Sequence, residues 1–303
     1  MAAWINAFFP TFALIGLGLL LRWRLLTDQA VWAGIDRLTF FVLLPSLLAS
    51  SISTVDLAQL PLGAMGAAIW ITLALGTLSA LILSRLLGHN RAAMTSVVQG
   101  GIRFNNYVAL AISAGLYGNE GLAFGGVAAG LIVPCVQVIL TLVFVLSDGG
   151  RLRPLLLLRQ IALNPLLLGC LAGFAFAAFG GMPAGVAPFA RSLGQAALAL
   201  GLMSVGGGLV LGALREAPLT QMLVALQKLL LVPVVTLGLA RLFGLDPRLA
   251  AIATLTMAMP TASTAYVMAR VMGGDARLMA AMITLQHLAS IATLPLWALL
   301  LAR

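Results

Sequence analysis

The segment Gln99-Gly-Gly-Ile-Arg103-Phe-Asn105-Asn106-Tyr107 sets one arginine and two adjacent side-chain amides inside an otherwise apolar run. Asparagine is a poor mid-helix residue because its side chain competes for backbone hydrogen bonds. Unwound backbone at membrane depth is tolerated only where it is buried in protein or lines a cavity. The segment is therefore expected to break its helix, leaving free N–H groups, the Asn105 and Asn106 amides and the Arg103 guanidinium able to hold an anion. A plainer alternative has Arg103 reaching back to the inner interface and the asparagine pair joining helices.

Adding 155 to Asn105 gives Pro260, within Thr256-Met-Ala-Met259-Pro260-Thr261-Ala-Ser263-Thr264. Proline removes a donor and frees the carbonyl one turn back, and the small hydroxylated residues that follow can re-pair the backbone. Taken alone this reads as an ordinary proline kink, common in membrane helices. Its position opposite the asparagine break makes Met259, Pro260, Thr261 and Ser263 candidate binding residues, because paired breaks in two halves point to a transporter's midplane site.

Other polar residues carry weaker expectations. His287, beside Gln286, reads first as a hydrogen-bonded packing residue and second as a proton- or ion-coupling group. Lys228, beside Gln227, is as compatible with an interfacial position as with a cavity. Pro45, Gln137 and Gly206-Gly-Gly208 read as kinks and close packing. The eight carboxylates fall in loops or at span ends, so no acid is expected to serve as a proton relay at membrane depth. No HExxH, Walker A or GxSxG pattern is present, so no enzyme, metal or cofactor chemistry is expected. Cys135 and Cys170 lack metal or redox spacing and read as small core residues.

The elements that position these residues follow from composition. Of 303 residues, 62% are hydrophobic and 8% charged, far from the roughly 45–50% and 25% of soluble domains. That excludes a soluble enzyme or a disordered tail and makes the chain a polytopic, all-α membrane protein. Apolar runs delimit ten spans, at about 4–22, 33–53, 62–85, 93–116, 121–146, 162–181, 187–213, 219–242, 248–272 and 276–301. The first is expected to be a retained span, since no small-residue cleavage site follows it. The net charge of +9 is spread singly or in pairs, without the basic face nucleic acid needs.

An outside N-terminus puts most arginines inside, among them Arg22, Arg24, Arg37, Arg85, Arg151 and Arg215. It leaves Arg191, Arg241, Arg248 and Arg303 outside, so the positive-inside rule favours both termini outside. The offset of 155 also maps Pro10 onto Pro165, Gly18 onto Gly173, Gly118 onto Gly273 and Glu120 onto Asp275. We read a five-helix repeat over 1–146, a short basic cytoplasmic linker over 147–160, and an inverted five-helix repeat over 161–303. The fourth and ninth spans are the broken ones.

On these residues the chain resembles the auxin efflux carrier family, within the PIN-like superfamily. The matching segments are Leu43-Leu-Pro45-Ser-Leu-Leu48, the Asn105 break, Tyr117-Gly-Asn-Glu-Gly-Leu122, Asn164-Pro165, Ser263-Thr-Ala-Tyr-Val-Met-Ala269 with Gly273-Gly-Asp275, and Thr293-Leu-Pro-Leu-Trp297. The resemblance implies a scaffold and a transport domain, crossing broken helices, elevator-type movement and a homodimer. It implies transport of small organic anions: indole-3-acetate in plant members, malonate or malate in bacterial ones, here across a bacterial inner membrane. Carried onto this chain, the family's site falls at Asn105 and at Pro260 with its neighbours. Two positions depart from the family pattern, Ile112 and Ala199, where it tends to have proline. An anion channel, a lipid-acting enzyme and a non-transporting receptor are the rival readings. Uniport, exchange and Na⁺ coupling through carbonyls are all compatible with the residues.

Overall fold

Capping residues and glycine contacts divide the apolar chain into helices. The computed structural model describes residues 2–56, 60–147 and 153–302, and among these the regular structure is helical, with no strand. In chain order the helices are α1 (Ala2–Arg24), α2 (Gln29–Ile52), α3 (Leu62–Leu86), α4 (Arg91–Ile102) and α5 (Asn106–Ser147). They continue with α6 (Pro154–Ala162), α7 (Pro165–Ala178), α8 (Val186–Gly207), α9 (Pro218–Leu242), α10 (Pro247–Ala258), α11 (Thr264–Val271) and α12 (Ala276–Leu301). The centre of the expected linker, including Asp148 and Arg151, and Arg303 lie outside the described residues.

Seven stretches are long and apolar enough to cross a membrane. An eighth is added if α6 and α7, bent by 56°, are one span. Two of the ten runs read in the sequence are joined in the single stretch Arg91–Ser147. The ninth run is divided into α10 and α11, of 12 and 8 residues, each too short to cross a membrane alone. Large apolar side chains such as Phe9, Trp70, Leu78 and Leu299 are exposed, as lipid-facing residues should be and as soluble surfaces avoid.

Three of the carboxylates cap helices. Asp28 accepts from the N–H of Ala30 at 2.8 Å, Asp246 from Arg248 at 2.9 Å and Asp275 from Leu278 at 3.0 Å. Each satisfies a donor that a helix start leaves bare and sits at the positive end of the dipole. Asp36 departs from the span-end reading. It lies inside Gln29–Leu38, the first segment of α2, half-buried, and accepts a hydrogen bond from the Ser204 hydroxyl of α8.

The chain forms two compact units, each assembled from separated segments. The first comprises Met1–Leu62, Asn106–Gly130 and Leu158–Gly208; the second comprises Gly63–Asn105, Leu131–Leu157 and Leu209–Arg303. In the first, α8 packs on α1 and α2, and α7 packs on the second half of α2. Glycines allow these approaches. A methyl at Gly206 would lie 1.9 Å from the Ile15 carbonyl oxygen, and one at Gly18 1.9 Å from that of Met203. Small residues drive such packing in lipid because close contact replaces the hydrophobic effect. Gly206→Ala is therefore expected to cost about 3 kcal/mol, the upper range for overpacking, measurable as thermal unfolding in detergent. In the second unit α9 packs on α10, and α12 contacts α4, α9, α10 and α11.

Candidate functional site

Helix α4 stops at Ile102, and residues 103–105 are non-helical before the chain resumes at Asn106. Arg103 has extended backbone, φ −71° and ψ 157°. The break forms without the proline the family pattern led one to expect, since the chain is regular helix through Ile112. Helix α10 stops at Ala258; Met259 is extended, φ −66° and ψ 145°, and α11 begins only at Thr264. Both interruptions fall where the residue types required them.

Each break leaves carbonyls without their helical partners, and side chains of the same unit supply replacements. The Gly100 carbonyl accepts from Gln286 Nε2 and from Thr261 Oγ1, both at 2.9 Å. Gln286 Oε1 in turn accepts from the Thr261 N–H at 2.8 Å. One amide on α12 therefore ties the end of α4 to the loop after Pro260. The Met257 carbonyl, at the end of α10, accepts from Lys228 Nζ at 2.7 Å. Lys228 is 0% exposed and sits on a π-helical turn, Gln227–Leu231, within α9. That turn is itself secured by Trp297, whose indole N–H donates to the Leu229 carbonyl at 2.8 Å.

Around this frame stand the ligand-type groups. Arg103 donates to Gln99 Oε1 at 3.3 Å, Thr264 Oγ1 at 3.2 Å and Met268 Sδ at 3.1 Å. These partners are neutral, so its charge is hydrogen-bonded without being cancelled by them. The Gln99 Nε2 donor is buried with no partner among the described residues. Asn105, 1% exposed, lies with Nδ2 3.3 Å from His287 Nε2. His287 Nδ1 lies 2.8 Å from the Ile283 carbonyl. A carbonyl can only accept, so Nδ1 carries the proton and Nε2 is free to accept from the Asn105 amide. Histidine in this arrangement orients Asn105.

The candidate residues Arg103, Asn105, Met259, Pro260, Thr261, Ser263 and His287 all belong to this one unit. Met259, Pro260 and Thr261 are buried, and Ser263 is half-buried. Asn106 begins α5 in the other unit, where its Oδ1 is buried without a partner among the described residues. Three residues central to the geometry were undervalued in the sequence: Gln286, Lys228 and Gln99. Each is a polar residue within an apolar span, which is by itself a reason to expect function.

The family model described as membrane transport protein matches residues 3–298. The chain belongs to this family, that of the auxin efflux carriers and their PIN-like relatives. No curated protein matches the chain at a significant level. As a membrane transport protein it is a multi-pass membrane transporter, of a family whose members are transporters and not enzymes.

Proposed function

We propose that the protein is a secondary transporter of small organic anions, carboxylates of the malonate or malate type or auxin-like acids, held beside the two helix breaks. The observation that carries this reading is the Gln286 bridge between the Gly100 carbonyl and the Thr261 N–H. It holds Arg103, Asn105 and the Pro260 loop in one body, with a guanidinium that, among the described residues, bonds neutral groups. Donors without a neutralising acid favour an anionic ligand. Met259 and Ser263, of the same unit, complete the proposed lining.

The same reading takes the fold as ten spans in two inverted five-helix repeats, 1–146 and 161–303, joined by 147–160. Packing supports it: Gly18 lies against Met203, and Gly173 lies against Ala49 and Ile52. Shifting the first pair by 155 in each direction gives Gly173 and Leu48, next to the observed contact. Since the site residues other than Asn106 share one compact unit, they would travel together in an elevator-type movement. We place the protein in a bacterial inner membrane as a homodimer with both termini periplasmic. His287 is assigned orientation of Asn105 in preference to proton coupling.

Thermal stability of the purified protein across a panel of small carboxylates tests the site. A ligand that binds only the folded state raises stability by mass action. One carboxylate class should stabilise the wild type, while Asn105→Ala weakens binding by about 1–3 kcal/mol and Pro260→Ala reduces it through the loop. Folded variants that respond like wild type would remove both residues from the site. Flux in proteoliposomes that fails to saturate would favour an anion channel, and tight binding without flux a receptor.

A further inference from the structure

The first compact unit contains a cleft that the transport site does not use. It has a volume of about 230 Å³ and is lined by Leu47, Ser50, Ser51, Thr54, Asn119, Leu122, Arg191 and Gln195. Three separate elements build it. Gly194 lets α8 approach α2, since a methyl there would lie 3.0 Å from Leu47 Cα, and this brings Arg191 and Gln195 beside the serines. Gly118, at φ 62° and ψ −146°, breaks α5 so that a new helix starts at Asn119. That backbone conformation is available almost only to glycine.

The chemistry of the lining is one-sided. Ser50 and Ser51 donate to the Leu47 carbonyl at 3.1 and 2.7 Å, and Thr54 donates to Ser51 at 2.9 Å. Their protons are committed. The donors left to face the cleft are the Arg191 guanidinium and the Asn119 and Gln195 amides. No carboxylate lines it, and no described residue pairs with Arg191. The helix restarting at Asn119 adds the positive end of its dipole. The cleft is large enough for one oxyanion group with a short apolar neighbour against Leu47 and Leu122.

We propose that this cleft is a second anion site, with Arg191 as its anchoring fork and Asn119 and Gln195 as flanking donors, taking a phosphate or similar oxyanion group. It shares no residue with the site around Gln286. The oxyanion has two sources, a free ion or the headgroup of an anionic phospholipid, and a guanidinium fork recognises both.

Native mass spectrometry of the detergent-purified protein with phosphatidylglycerol and with phosphatidylcholine gives one arm; thermal shift with inorganic phosphate gives the other. Phosphatidylglycerol retained over phosphatidylcholine without a phosphate shift identifies a lipid site, and a saturable phosphate shift identifies a free-anion site. In either case Arg191→Gln should weaken binding at least tenfold, by the loss of about 1.5–3 kcal/mol typical of a charge-assisted bond, while Arg191→Lys retains part of it. Gln195→Leu, which keeps the charge, serves as the second variant and should weaken binding severalfold. Absence of binding in both arms, or binding indifferent to a folded Arg191→Gln variant and to Gln195→Leu, overturns the proposal.

Discussion

Gln286→Leu should destabilise the protein by about 2–4 kcal/mol and abolish carboxylate-induced stabilisation. The leucine keeps the volume, so no large cavity contributes; the loss is polar. Two hydrogen bonds disappear, the Thr261 N–H is left bare, and the Gly100 carbonyl retains only the Thr261 hydroxyl. An interhelical hydrogen bond in a membrane protein averages only about 0.6 kcal/mol, so two bonds alone would give a small effect. The orphaned buried amide decides the size, at about 1–3 kcal/mol. Thermal unfolding in detergent measures the first part and the carboxylate panel the second. A Gln286→Leu protein with wild-type stability and wild-type ligand response would show that the two breaks are held by something else.

Lys228→Met is the second large effect, of a different kind. Methionine fills most of the same space and relieves the desolvation of an ammonium, a penalty of several kcal/mol. The variant should therefore fold. What it loses is the charged donor at the Met257 carbonyl, where the α10 C-terminus carries the negative end of its dipole. A hydrogen bond to a charged group is worth about 1.5–3 kcal/mol, which corresponds to about 10–100-fold in an equilibrium. Transport in proteoliposomes should fall by that factor with the folded fraction unchanged. Lys228→Ala should lose transport equally and stability as well, because it adds a cavity. Transport preserved in Lys228→Met would make the lysine a packing residue only.

The helical class, most helix limits and both interruptions were legible because each rests on a local property. Apolar run length limits a span, and Asn105-Asn106 and Pro260 oppose regular helix wherever they stand. The site's architecture was less legible. Gln286 and Gly100 are 186 positions apart, and nothing in an apolar helix marks which face its one amide will take. Lys228 was ambiguous for the same reason: a lysine one turn from a helix end and one at a buried π-turn read alike. Asp36 was assigned to a span end because the apolar run was taken to start at about 33, one turn before it. The helix starts earlier, at the Asp28 cap, which carries Asp36 into α2. The interleaving of the compact units also has no sequence signal, since it depends on which helices pair.

That interleaving has a consequence for synthesis. The unit built from α1, α2, the first part of α5, α7 and α8 has all its segments once Gly208 has been made. The other unit inserts α3 and α4 early but must wait for α12, so the Gly100 carbonyl is made long before Gln286 exists. During that interval the Gly100 carbonyl lacks the amide that holds it in the finished fold. Arrival of α12 supplies Gln286, whose amide joins the Thr261 hydroxyl at the Gly100 carbonyl and completes the polar frame last.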